Sequence, residues 1–142
     1  MRYAIAPTKA TTIGSINSFA SCIKMKTIGA WGCYITGNIE TAFNSMNRFN
    51  RCDFVWDKYV AGDPYGGDVL TYSTNISGNI NVFANKYDLV FFQIQYYTNV
   101  NGQLKDLKNL KKFLGCYLSG CSATGSKTDL WNQGANITDF RI

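Results

Sequence analysis

The sequence predicts a mainly β protein, an antiparallel sheet closed as a sandwich or barrel with one or two packed helices (α+β), and three observations carry that expectation. The first is the stretch from Tyr87 to Tyr97, the longest run of strand-forming residues, uninterrupted by charge after Asp88. Read as one strand, it places Val90, Phe92, Ile94 and Tyr96 on one apolar face and Leu89, Phe91, Gln93, Gln95 and Tyr97 on the other. Burial of each large apolar side chain contributes roughly 1.5–3 kcal/mol, so this face suffices to anchor a small core. The second is Asn101-Gly102, two residues that tolerate positive φ and form the strongest short hairpin signal in a chain. The third is a series of short aromatic and β-branched segments bounded by Gly, Asn and Ser, which reads as a meander.

In chain order, Tyr3 to Ala6 is a short strand stopped by Pro7, which has no amide hydrogen for a central ladder. Over residues 11–25 the spacing of Ile13, Ile16, Phe19 and Ile23 suits a helix, while Gly14 and the Ser/Asn content suit a twisted strand equally. Thr27 to Thr36 is strand by composition, with glycines that permit a bulge. Asn38 is an N-cap candidate for a helix over 39–50 carrying Ile39, Phe43, Met46 and Phe49 on one side. Asp53 to Val60 returns to strand, 61–68 is a loop, and Val69 to Tyr72 and Ile80 to Phe83 are short strands. Beyond the Asn-Gly turn, Leu104, Leu107 and Leu110 predict a helix over about 104–112, followed by a strand at 113–119. Residues 120–134 form a polar loop, and 136–142 alternates as a half-exposed strand. This reading finds no internal repeat and no linker, so residues 1–142 are taken as a single domain.

Composition narrows the function classes. Hydrophobic residues make up 46% and aromatics 15%, which excludes a disordered chain. The net charge of +5 permits a nucleic-acid or other acidic partner without indicating one. Five cysteines in no metal-type spacing read as reduced, mostly buried thiols of a protein made in the cytoplasm. No apolar run approaches membrane-spanning length, so no membrane partner is expected. Histidine is absent, which removes His-based triads and His–metal sites, and the chain reads as a non-enzyme with no cofactor and no metal.

Candidate sites are few. Lys105, Lys108, Lys111 and Lys112 form a basic stripe able to neutralise phosphates, against the simpler reading of a solvated helix face. Asp63 and Asp68 flank a glycine-containing turn, and Asp53 and Asp57 are four apart; ordinary solvated carboxylates account for both pairs. Cys116 and Cys121 would react only with a lowered pKa. Gly120 to Thr128 has the glycine spacing of a phosphate loop, but Ser126 stands where the motif needs lysine.

The order of long strand, Asn-Gly turn, lysine-rich connection, Leu114-Gly115-Cys116-Tyr117-Leu118-Ser119-Gly120, polar loop and final strand, over about residues 87–142, resembles the last third of bacteriophage tail-tube proteins. That resemblance implies a self-assembling virion subunit, a homo-oligomer whose sheets join edge to edge into rings. The competing reading is an α/β nucleotide- or sugar-binding domain, a three-layer parallel sheet with strands at 2–7, 28–35, 54–60, 88–95 and 114–118 and helices at 12–24, 39–50 and 104–112. A small phage-type host-interaction or inhibitor protein is a third.

Overall fold

Five glycines set the architecture. Gly14, Gly37, Gly78, Gly102 and Gly125 all adopt φ between +109° and +126°, a region that residues with a Cβ rarely enter. They recur 23, 41, 24 and 23 residues apart, so the chain is a repeat. Each glycine sits two residues before a short helical turn: Ile16–Phe19, Ile39–Phe43, Ile80–Phe83, Leu104–Leu107 and Lys127–Leu130. The computed structural model describes residues 2–5, 12–31, 34–55, 73–130 and 137–142. The long glycine interval contains residues 56–72, which lie outside that set.

The first four coils are built alike. A strand carrying the glycine leads into one helical turn, the chain folds back through successive tight turns, and a second strand closes the coil. In the fifth, Gly125 directly follows its strand, and residues 131–136 lie outside the described set. The strands are β1 (Arg2–Ile5), β2 (Thr12–Ser15), β3 (Thr27–Trp31), β4 (Tyr34–Asn38), β5 (Arg51–Val55), β6 (Ser73–Asn79), β7 (Phe91–Gln95), β8 (Tyr97–Gln103), β9 (Gly115–Tyr117), β10 (Ser122–Thr124) and β11 (Asp139–Arg141). Odd-numbered strands form a six-stranded sheet in the order β1-β3-β5-β7-β9-β11, and even-numbered strands a five-stranded sheet in the order β10-β8-β6-β4-β2. Every pair is parallel. Parallel neighbours need a crossover of a dozen or more residues, and one coil supplies it. The result is a solenoid in which each coil packs on its neighbours.

Two inward rows of the six-stranded sheet carry the core: Ile28, Cys52, Phe92 and Cys116 in one register line, and Ala30, Phe54 and Ile94 in the next, all buried. Between the sheets Phe43 packs on Phe49, Phe54 and Phe83, with ring centroids 4.7, 6.0 and 5.6 Å away. The series continues from Phe83 to Phe92 at 4.8 Å and on to Phe113 at 5.6 Å. The second sheet is pinned by its glycines. A Cβ on Gly37, Gly78 or Gly102 would lie within 3.0 Å of the preceding coil's side chains, including Asn17, Asn38 and Asn79 respectively. Those asparagines therefore lie directly against the next coil. Asn38 and Asn79 also accept hydrogen bonds from Glu40 N and Asn81 N, each 2.8 Å, and so cap their own coil's helical turn.

Several expectations are corrected. The sheets are parallel, which overturns the antiparallel sandwich or barrel. The Asn101-Gly102 pair lies within β8, where Gly102 supplies the recurring positive φ and no hairpin forms. The long strand is two strands: the backbone bends at Tyr96, φ +67°, and Tyr97 opens the strand of the other sheet. Alternation holds from Phe91 to Ile94, while Leu89 and Tyr97 are buried and Val90 and Tyr96 only partly so. The predicted helices at 39–50 and 104–112 shrink to α1 (Ile39–Phe43) and a 3-10 turn, Leu104–Leu107. Ile80 to Phe83 is a 3-10 turn where a strand was expected. The strands proposed in the parallel alternative overlap β1, β3, β5, β7 and β9, yet among the described residues the helical elements are single turns, not covering helices.

Candidate functional site

Register alone assembles the outward face of the six-stranded sheet. Thr27, Arg51, Phe91, Gly115 and Asp139 form one outer line, and Gly29, Asp53, Gln93 and Tyr117 the next, with Arg141 beside Tyr117. Arg51 donates from Nε and Nη2 to the two carboxylate oxygens of Asp53 at 2.7 and 3.2 Å. That bond raises the Arg51 pKa further above its ordinary value, against the opposing effect of burial. The same guanidinium lies 4.7 Å from the Phe91 ring centroid, Phe91 meets Tyr117 edge-on at 5.1 Å, and the Arg141 guanidinium caps Tyr117 at 4.7 Å. Tyr117 donates its hydroxyl to Asp139 Oδ1 at 3.3 Å. Gln93 donates to Gln95 at 2.5 Å.

Gly115 leaves a gap in this surface. Its position in the outer line between Phe91 and Asp139 carries no side chain, and a Cβ there would fall 1.6 Å from the Asp139 carbonyl oxygen. Beside it opens a pocket of about 190 Å³, lined among others by Arg51, Val90, Phe91, Leu114, Tyr117 and Asp139. Leu114, 41% exposed, stands at its edge. The face thus combines rigid aromatics, two arginines, two carboxylates and one recess.

The lysines expected to bind sit elsewhere. Lys105, Lys108, Lys111 and Lys112 are all exposed on the turns between β8 and β9. Lys112 donates to Asp88 at 2.5 Å, and Arg48 reaches the same carboxylate at 3.3 Å. Hydrogen bonding to Lys112 and then to Arg48 holds the Asp88 carboxyl below its usual range. Because Lys108 is exposed, Lys108→Glu is expected to leave the melting temperature within about 2 °C, since exposed substitutions stay within roughly 0.5 kcal/mol. A thermal melt followed by circular dichroism checks this.

Burial pushes the Cys116 thiol up to about 12 and the Cys121 thiol up to about 11, which disfavours a reactive thiolate. In the loop resembling a phosphate site, Asp129 Oδ2 accepts from Ser126 N at 2.6 Å, so a carboxylate already fills the place an anion would take. Asp53 is the buried partner of Arg51; Asp57, Asp63 and Asp68 lie outside the described residues. Among the described residues no cluster of His, Cys, Asp or Glu can hold a metal ion, and no helix is long and apolar enough to cross a membrane. No protein-family model, curated protein or solved structure matches the chain.

Proposed function

We propose that the chain is a non-enzymatic binding module that docks a polypeptide partner on the outward face of its six-stranded sheet. The observation that carries this reading is the continuous series Arg51, Phe91, Tyr117 and Arg141, braced by mutual contacts and bordered by the recess at Gly115. Arginine and aromatic residues dominate binding energy at protein interfaces, and holding them in place before contact reduces the entropic cost of association. The face balances Arg51 and Arg141 against Asp53 and Asp139, where a nucleic-acid surface would carry an excess of positive charge. Repeat solenoids commonly bind through such extended faces, and the 23- to 24-residue spacing of the coils falls within the length range of leucine-rich repeats, although each coil here carries two strands.

The test is selection of a random dodecapeptide display library on the purified protein. Enriched peptides are expected to share one apolar residue for the recess, and Leu114→Arg or Tyr117→Ala should weaken them tenfold or more, about 1.4 kcal/mol, without loss of the cooperative melt. Enrichment that both variants leave intact would refute the assignment of the face.

Self-assembly into a homo-oligomeric virion-type structure is the second reading. Its support is geometric: β1 and β11 stand at opposite edges of a continuous parallel sheet, so a second copy stacking coil on coil would extend it. Light scattering across a concentration series decides, with defined multiples of the 15.8 kDa chain favouring assembly.

A further inference from the structure

One side chain breaks the repeat's own rule. In four successive coils the same backbone turn recurs, with Cys22 N donating to Phe19 O, Met46 N to Phe43 O, Lys86 N to Phe83 O and Leu110 N to Leu107 O. The next turn repeats as well, from Met25, Phe49, Leu89 and Phe113 back to those same four residues. The equivalent positions therefore hold Cys22, Met46, Lys86 and Leu110. Three are apolar or thiol side chains; the fourth is a lysine that is 3% exposed.

Lys86 Nζ donates to the Asn44 carbonyl oxygen at 2.8 Å. An ammonium has three donors, and no ion pair among the described residues includes it. Its burial lowers its pKa, consistent with a charge that lacks full compensation. Lys86 lines an open groove of about 860 Å³ between the helical turns of two coils. Around it stand Asn44, Asn47, Asn79, Asn81 and Asn85, with Glu40 and a single apolar side chain, Val82. Glu40 is engaged, accepting from Asn79 N at 3.0 Å. A lysine costs stability at a core position, and departures of this kind from local pattern concentrate at functional sites.

We infer that this groove binds an acidic saccharide, with the sugar carboxylate on Lys86 and its hydroxyls on the surrounding asparagine amides. Apart from Asn79, whose oxygen caps Asn81 N, these asparagines can each offer a donor and an acceptor on one planar group, which matches neighbouring hydroxyls that both donate and accept. The near absence of apolar lining disfavours a lipid or an apolar peptide anchor. The site lies on the helical turns, not on the outward face of the six-stranded sheet, and is independent of the docking role proposed there.

The experiment titrates 15N-labelled protein with oligogalacturonate, a hyaluronan tetrasaccharide and sialyllactose, each against its uncharged analogue, with inorganic phosphate as an anion control. At least one acidic sugar is expected to shift the amide signals of Asn44, Asn81 and Asn85, and its neutral analogue to bind tenfold or more weakly. Lys86→Met restores the side chain found at the equivalent position, Met46; it should raise the melting temperature by about 2–4 °C and abolish binding. Should that variant fail to fold, Asn85→Asp, an exposed change that places a negative charge in the groove, should likewise reject the acidic sugar. Absence of binding by all three sugars, undiminished binding by the variants, or phosphate shifting the same signals as strongly as the sugars would overturn the assignment.

Discussion

Ile94→Asp abolishes the cooperative fold. Ile94 is fully buried in the inward row with Ala30 and Phe54, in the third of five coils. Removing a large apolar side chain there costs about 2–5 kcal/mol, and sealing a carboxylate among apolar neighbours adds several more. The sum is comparable to the roughly 5–15 kcal/mol that holds a domain folded. The loss would not stay local, because coils on either side are held through the one that fails. Loss of near-ultraviolet circular dichroism and of amide dispersion in the NMR spectrum would show it; a variant melting like the parent would place Ile94 outside the core.

Gly102→Val is the second large effect, and the protein supplies its own control in Gly14→Val. Both glycines occupy positive φ, +118° and +109°, so both substitutions incur a backbone cost of about 1–3 kcal/mol. Their surroundings differ. A Cβ on Gly14 meets nothing within 4 Å among the described residues, whereas on Gly102 it would lie 2.7 Å from Ile80 Cγ1 and closer still to Asn79 Oδ1. Asn79 cannot retreat freely, because that oxygen caps Asn81 N. Overpacking against a side chain held in place adds roughly 1–3 kcal/mol. Gly102→Val should therefore unfold at a urea concentration well below that of Gly14→Val, with the gap reporting inter-coil crowding alone. Equal midpoints would mean that the second sheet tolerates a wider coil spacing than its close contacts suggest.

Much of the odd-numbered sheet was legible in the sequence, because runs such as Phe91–Gln95 and the stretch from Asp53, which overlaps β5, carry strand composition wherever they are placed. Direction was not legible. Asn101-Gly102 satisfies a hairpin turn and a positive-φ strand position equally well, since both demand the same backbone conformation. The repeat stayed hidden for a related reason. Its equivalent positions hold residues as unlike as Cys22, Met46, Lys86 and Leu110, and the additional residues 56–72 displace the third glycine from its expected place. Once Gly14, Gly78 and Gly102 are aligned, the residues two, five and eleven places on come into phase as Ile16, Phe19 and Met25, Ile80, Phe83 and Leu89, and Leu104, Leu107 and Phe113, whereas after Gly37 the later steps Phe43, Met46 and Phe49 fall one residue further on. The candidate face was invisible for a different reason: Arg51, Phe91, Tyr117 and Arg141 are separated by 40, 26 and 24 residues, and only the parallel register brings them together. Lys105, Lys108, Lys111 and Lys112 are neighbours in sequence, which says little about what converges in space.

The placement of the additional residues has an evolutionary and engineering consequence. They enter where β5 of one sheet hands over to β6 of the other, and β5 still pairs in register with β3 and β7, while β6 still pairs with β4 and β8. The corner between sheets is thus a seam at which chain length is decoupled from packing. Whole coils could be duplicated or excised, and loops enlarged at this seam, without rewriting the residues that make neighbouring coils recognise one another.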